Sequence, residues 1–398
     1  MGTMTEQQLK SLACEISSLS VFRGILKTET MTALLRFLSC GESVRERMGL
    51  FGEFVYSLAG SNYNFSEFLC RAVYEDENRY IIGTAQKTEL PAALTDNANA
   101  ELELFTRLTE LKAEDLCEPL GYNGHIPQFG NSRVDFAATY KERLSHIGRY
   151  GYGVFASAKM FRVSGEDIIP VEAADEITLD SFVGYEEERK KVFDNTEVLT
   201  EGGPAANVLL FGDAGTGKSS PVKACANYYY DKGVRLIELR KDQLFSLSYV
   251  MGRIAGNPLK FIIFIDDLSF NKNDDSFSML KAALEGSASA KAKNAVIYAT
   301  SNRRHIVKEN FSERTTEDDI HHNDTVQELM SLSDRFGLTV YFERPSKALY
   351  LDIVHRLARK NGLDIEPEKL DVQAEAFALN KGSRSPRAAE QFINSLIK

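Results

Sequence analysis

The sequence predicts an α/β protein: a parallel five-stranded sheet forms the core, with a mainly helical region before it and a small helical lid after it. Three observations lead there. Five short apolar runs, Asn207–Phe211, Val234–Glu238, Phe261–Ile265, Ala295–Thr300 and Leu338–Phe342, alternate with amphipathic stretches. Strands that alternate with helices imply βαβ units and a parallel sheet. Up to about Ile147 the apolar residues recur at helical spacing, as in Met31–Leu38, Phe51–Leu58 and Asn99–Leu116. After Pro345 the strands stop, leaving Lys347–Lys360, a segment around Ala374 and Ser385–Ile397 as helices.

The domains expected from this are residues 1–170, mainly helical and of unknown role, 171–345 for the α/β core, and 346–398 for the lid. A chain of 398 residues has room for two or three domains. The segment Gly148-Arg149-Tyr150-Gly151-Tyr152-Gly153 is read as a flexible turn before a strand-like Val154–Val163, since glycine so often simply punctuates.

Composition narrows the class. With 43% apolar and 26% charged residues the chain has the profile of a globular protein. Its net charge of -10 disfavours a general nucleic-acid binder, which needs a basic surface. No apolar run approaches the roughly 20 residues that span a bilayer, and no membrane partner is expected. The first residues lack the pattern of a signal peptide. The five cysteines, Cys14, Cys40, Cys70, Cys117 and Cys225, are scattered and never in CxxC spacing. That argues against a disulfide framework or a zinc site and for the reducing cytoplasm.

The strongest motif runs from Asn207 to Ser219. An apolar strand leads into Gly212-Asp213-Ala214-Gly215-Thr216-Gly217-Lys218-Ser219, which is GxxxxGK[ST], and a helical stretch including Ser220 follows. Glycines let the backbone curl so that several N–H groups point at one phosphate. The helix N-terminus adds its positive dipole end. Lys218 is expected on the β- and γ-phosphates and Ser219 on Mg²⁺, so the expected cofactors are ATP and Mg²⁺. Pro221 falls in the first turn of the helix, where the missing N–H has no intrahelical partner to lose, and the helix is expected to survive.

Hydrolysis needs more than this loop. Phe261–Ile265 ends in Asp266-Asp267, with Asp266 placed 48 residues after Lys218. Carboxylates at the C-terminal end of a parallel strand lie where open α/β sheets bind ligands. Asp266 is assigned to Mg²⁺ and its waters, and Asp267 to polarising the attacking water. Many ATPases carry Glu at the second place, and Asp is one methylene shorter. The run Asn294–Ser301 ends in Asn302, whose amide can hold the water and the γ-phosphate; the plain alternative is an Asx turn.

This order of phosphate loop, acidic strand end, Asn-ended strand and Asp334-Arg335-Phe336 resembles AAA+ ATPases. From about residue 175 onward the chain more closely resembles a bacterial AAA+ family catalogued as a domain of unknown function, number 815. FVGYEEERKK, NVLLFGDAGTGKSS, FIIFIDDLSF, IYATSNRRH and LSDRFGLTV carry the resemblance. It implies Asn302 as the sensor-1 residue. It implies Arg335 as an arginine finger that stabilises charge on a neighbouring subunit's nucleotide, and so a homo-oligomer. Arg387 looks like the lid sensor, with Arg384 its rival, and Val183 and Tyr185, beside Phe182, look like the adenine contacts.

The pattern departs from AAA+ unfoldases at Tyr249-Val250-Met251-Gly252, only a loose echo of a pore loop and set in a helical stretch. His321-His322, beside Thr315–Asp319, is read as part of a solvated loop, because further ligands at metal spacing are missing. The expected function is an ATPase that couples hydrolysis at a subunit interface to conformational change or assembly on an unknown protein client. Two alternatives stand beside it. One is an ATP-gated assembly protein with slow hydrolysis. The other is an initiator- or helicase-loader-like ATPase on nucleic acid, with Arg303, Arg304, His305 and Lys308 as its basic patch, a cluster that is more often a solvated face.

Overall fold

A computed structural model describes residues 4–41, 43–171, 177–178, 183–268, 275–285, 293–302 and 335–397. The chain divides into two compact units, Met1–Ser157 and Ala158–Lys398.

The described part of the first unit is built from helices: α1 (Glu6–Ser17), α2 (Glu29–Ser39), α3 (Val44–Ser57), α4 (Phe65–Glu75), α5 (Arg79–Ala85), α6 (Ala92–Leu108), α7 (Ala113–Cys117), α8 (Phe136–Ser145) and α9 (Ile147–Tyr150). Their starts are set locally. The side chains of Thr5, Ser43, Asn64, Asn78 and Asp135 accept first-turn N–H groups that have no intrahelical partner. The apolar faces meet in a phenylalanine-rich core, with Phe22 edge-on to Phe105 at 5.4 Å and Phe54 edge-on to Phe65 at 5.3 Å. One carboxylate is buried there. Glu101 accepts from the backbone N–H groups of Ser20, Val21 and Phe22, so its charge is fully hydrogen-bonded.

The second unit holds the sheet: β1 (Met160–Ser164), β2 (Asp167–Pro170), β3 (Val208–Gly212), β4 (Val234–Glu238), β5 (Lys260–Ile265), β6 (Ala295–Ser301) and β7 (Leu338–Phe342). Their order is β2-β1-β4-β5-β6-β3-β7. The sheet therefore has seven strands, not the five expected. The five runs read from the sequence are β3 to β7, all parallel. The additional pair extends the β4 edge, β1 parallel to β4 and β2 antiparallel to β1.

The sequence reading reached β1 only as the end of the strand-like Val154–Val163 and missed β2, for a physical reason. Val154 to Ala156 forms a 3₁₀ turn rather than strand, and the strand starts only at Met160. The reversal at Gly165, with φ 62°, leads into a four-residue strand that ends in proline. A short edge strand carrying Asp167 and Pro170 shows no apolar run, and both residues discourage further pairing.

Among the described residues four helices accompany these strands: α10 (Glu186–Thr200), α11 (Ser219–Tyr228), α12 (Leu247–Ile254) and α13 (Asp275–Glu285). α11 is continuous through the buried Pro221. Tyr249-Val250-Met251-Gly252 lies within α12, with Val250 fully buried.

α14 (Lys347–Lys360), α15 (Pro367–Asn380) and α16 (Pro386–Leu396) form the lid around Tyr350, Ile353, Ala374 and Phe392. Arg384 clasps Glu375 with two hydrogen bonds, at 2.9 and 2.7 Å, and so ties the turn before α16 to α15.

Gly212, which closes β3, shows why the sheet and the loop are joined as they are. Its φ is 145°, and a Cβ there would stand 2.1 Å from the Phe342 carbonyl oxygen of β7. Only glycine admits this approach.

Candidate functional site

The site grows out of strand register. β6 lies between β3 and β5, so its C-terminal end meets both the phosphate loop and the acidic strand end. In β5 and β6, Ile265 pairs with Ala299, which brings Asp266 beside Thr300 one step on. In β3 and β6, Phe211 pairs with Ser301, which brings Gly212 beside Asn302. Alternation along β6 then puts Thr300 and Asn302 on the same face.

Gly212 to Gly217 curl from β3 into α11. Thr216 tightens the curl by donating to the Asp213 carbonyl at 2.9 Å. Lys218 precedes the helix, and Ser219 and Ser220 open it. The Lys218 side chain doubles back across the loop. Its ammonium donates to the carbonyls of Gly212 (3.0 Å) and Asp213 (2.7 Å) and to Asn302 Oδ1 (2.8 Å). Burial lowers its pKa, opposed by the carboxylates of Asp213, Asp266 and Asp267.

Asn302 bridges two groups. While Oδ1 accepts from Lys218, Nδ2 donates to Asp267 Oδ1 at 2.6 Å. Asp266 Oδ1 accepts from the hydroxyls of Ser219 (2.7 Å) and Thr300 (2.5 Å). Asp267 has φ 53°, in the left-handed region, and its N–H donates to Thr300 Oγ1 at 2.9 Å.

Beside this cluster opens a cleft of about 450 Å³, within the usual size of a small-ligand site. Val183, Ile353 and Leu357 give it apolar walls, and Gly215 to Gly217 and Ser220 close one end. Arg189, Arg387 and Glu390 supply charge. Tyr185, also at the cleft, donates to the Glu343 carbonyl at 2.6 Å and packs its ring on Phe342 at 5.3 Å. The loop and the lid touch directly: the Arg387 N–H donates to the Gly215 carbonyl at 3.3 Å, and a Cβ on Gly215 would stand 3.2 Å from Ser385 Oγ.

The donor set suits a hard cation with phosphate oxygens. Ser219 and Asp266 offer oxygen ligands. Among the described residues no group of three or more His, Cys, Asp or Glu stands ready for a metal. Mg²⁺ is held in this sparse way, by one or two protein oxygens with waters and substrate phosphates completing the shell. Loop N–H groups, a buried ammonium and two acids converge where phosphates would lie.

The structure thus brings Lys218, Ser219, Asp266, Asp267 and Asn302 into one hydrogen-bonded cluster, and sets Val183, Tyr185, Gly215, Thr216, Gly217, Ser220 and Arg387 along the cleft. Arg384 instead pairs with Glu375. Arg335 sits in the turn before β7 and is not among the cleft's lining residues. Phe182, the segment from Arg303 to Asp334 with its basic patch and His pair, and Ser269 to Asp274 lie outside the described residues.

Sequence reasoning passed over three residues here. Thr300 was visible only as a strand residue, and its hydroxyl matters through the register of β6. Arg189, inside the quoted stretch FVGYEEERKK, was given no role, and Glu390 carries no motif; they lie near the starts of α10 and α16, close to Tyr185 and Arg387.

An open sheet with this loop at the end of β3 and these acids at the end of β5 is a P-loop fold of the AAA+ type. The chain belongs to the family described as Protein of unknown function (DUF815), whose model matches residues 155–398, over half of its length. Comparison with curated proteins gives no match. Among solved structures, a variant of RuvB from Thermotoga maritima is similar at 16% identity and a TM-score of 0.37, over 55% of this chain and 63% of that one. AMPPCP-bound DnaA from Aquifex aeolicus is similar at 17% identity and a TM-score of 0.38, over 56% of this chain and 65% of that one. The chain spans less than two thirds of either, and at these levels the likeness says nothing about activity. No described helix is long and apolar enough to cross a membrane.

Proposed function

We propose that this protein binds ATP with Mg²⁺ in the cleft and hydrolyses it to ADP and phosphate, using the cycle to drive assembly or a conformational change. The observation that carries the reading is the single hydrogen-bonded cluster joining Lys218, Asn302 and Asp267, with Ser219 and Asp266 alongside. Each member has a task in phosphoryl transfer to water. Lys218 and the loop N–H groups hold the phosphates. Ser219 and Asp266 would hold Mg²⁺, whose charge would offset that of the phosphate oxygens. Asp267 accepts a proton from water, and Asn302 orients that carboxylate. Arg387 approaches from the lid, and Val183 and Tyr185 border the base. Arg335 serves a neighbouring copy, so the active form is a homo-oligomer.

A second reading, ATP-gated assembly with slow turnover, is favoured by one observation. Asp267 is short, and its carboxylate is engaged by Asn302. One experiment separates the two: light scattering without nucleotide, with ADP and with ATP–Mg²⁺, while phosphate release is followed in the same samples. ATP-driven assembly with turnover that rises with protein concentration supports hydrolysis at a shared site. Assembly without phosphate supports the gated form. No ATP binding at all would sink both.

A further inference from the structure

Thr300 stands behind the two acids rather than in front of them. It is 2% exposed, near the end of β6, and its single hydroxyl does two things at once. It donates to Asp266 Oδ1 at 2.5 Å and accepts the N–H of Asp267 at 2.9 Å. Its carbonyl also takes the N–H of Leu268 at 2.7 Å. The three residues that leave β5 are thus all anchored on one residue of the neighbouring strand.

Two consequences follow from the geometry. Asp266 Oδ1 already accepts from Thr300 and Ser219, so its orientation is set and Oδ2 is left as the oxygen to serve a metal's water. Asp267 turns through a left-handed conformation that non-glycine residues seldom adopt, and the hydrogen bond from its N–H to Thr300 holds that turn. The turn delivers its carboxylate to Asn302. We infer that Thr300 is a positioning residue that sets the metal-facing orientation of Asp266 and the left-handed turn of Asp267 through one hydroxyl. A strand residue with an apolar side chain of the same size would pack as well and do neither.

The inference rests on the ATPase reading of the same site, and the test keeps the two apart. Fluorescent ATP-analogue binding in EDTA, Mg²⁺ titrations of analogue affinity, and phosphate release against Mg²⁺ are measured for the full chain and for Thr300→Val, Thr300→Cys and Thr300→Ser. Val is isosteric without a hydroxyl, Cys offers only weak hydrogen bonds, and Ser keeps the hydroxyl. Val and Cys are expected to bind the analogue in EDTA within about twofold of wild type, which also shows that the loop is folded. They are expected to need about tenfold more Mg²⁺ and to turn over about ten- to a hundredfold slower, the loss of a hydrogen bond to a charged group. Ser should recover most of both. Wild-type Mg²⁺ dependence and turnover in Val and Cys would overturn the inference, as would a Ser variant as poor as Val. If the wild type binds the analogue but releases no phosphate, hydrolysis is refuted, while the Mg²⁺ dependence of affinity still decides on Thr300. If Val does not fold, Cys against Ser decides in its place.

Discussion

Asp267 concentrates what one residue can say about this protein. Its φ of 53° carries strain that a hydrogen bond to Thr300 offsets. Asp267→Gly should therefore be more stable than Asp267→Ala by about 1 kcal/mol, since alanine meets the left-handed region with a Cβ and glycine does not. Urea unfolding of the two variants checks this, and equal stability would count against the left-handed turn. Lys218→Ala should lose nucleotide binding, because the cleft then lacks the ammonium at its phosphate end; equilibrium binding of a fluorescent ATP analogue measures it. At this scale the sequence was legible wherever chemistry is local. Lys218 and Ser219 sit in a contiguous motif, and Asp266 ends an apolar run. Thr300 was not legible, because a threonine in a β-strand is ordinary until β5 is set beside it. Nor does composition reveal that Asn302 touches both Lys218 and Asp267, a contact made across three strands.

Among the elements, the five parallel strands could be read because each carries a short apolar run, and in β5 the run Phe261 to Ile265 is β-branched and aromatic throughout. Phe261 to Ile265 are all fully buried, and burial on both faces leaves no polar alternation. β2 could not be read, because an edge strand of four residues needs no such run, and β1 was legible only as the end of the strand-like Val154–Val163. The joint between β3 and β7 is the tightest. Gly212→Ala would push a methyl into the Phe342 carbonyl, backbone against backbone, with no side chain able to yield. The expected cost is about 3 kcal/mol, or roughly 5–10 °C in Tm by thermal scanning; an unchanged Tm would refute the close approach. In the lid, the hydrogen bond from Arg384 holds the Glu375 carboxyl below its ordinary 4.5. A folded-state pKa below the unfolded one gives stability that is present above about pH 4.5 and is lost as pH falls through the lowered value. Glu375→Gln should flatten that acid limb in unfolding measured from pH 6 to 3.

For the whole molecule, the open question is what completes the site. On the proposed reading Ser219, Asp266, Asp267 and the cleft's Arg387 all come from one chain, but among the described residues no arginine from the β7 side lines the cleft. Arg335→Ala is expected to bind ATP like the wild type while turnover falls by a thousandfold or so, the usual worth of a trans-acting arginine. A mixture of Arg335→Ala with Lys218→Ala should recover part of that rate, since each supplies what the other lacks; a mixture as inactive as its components would place Arg335 outside any shared site. The helical unit from Met1 to Ser157 has a core of its own, built around residues from Leu9 to Tyr152.

The hydrogen bond from the Arg387 N–H to the Gly215 carbonyl makes the lid and the loop a latch. On the proposed reading, nucleotide that moves past the lid helix would part that contact and the packing of Ser385 on Gly215. Residence time would then depend on this seam as well as on the phosphate contacts, and two proteins with identical affinity could differ widely in how often they reset.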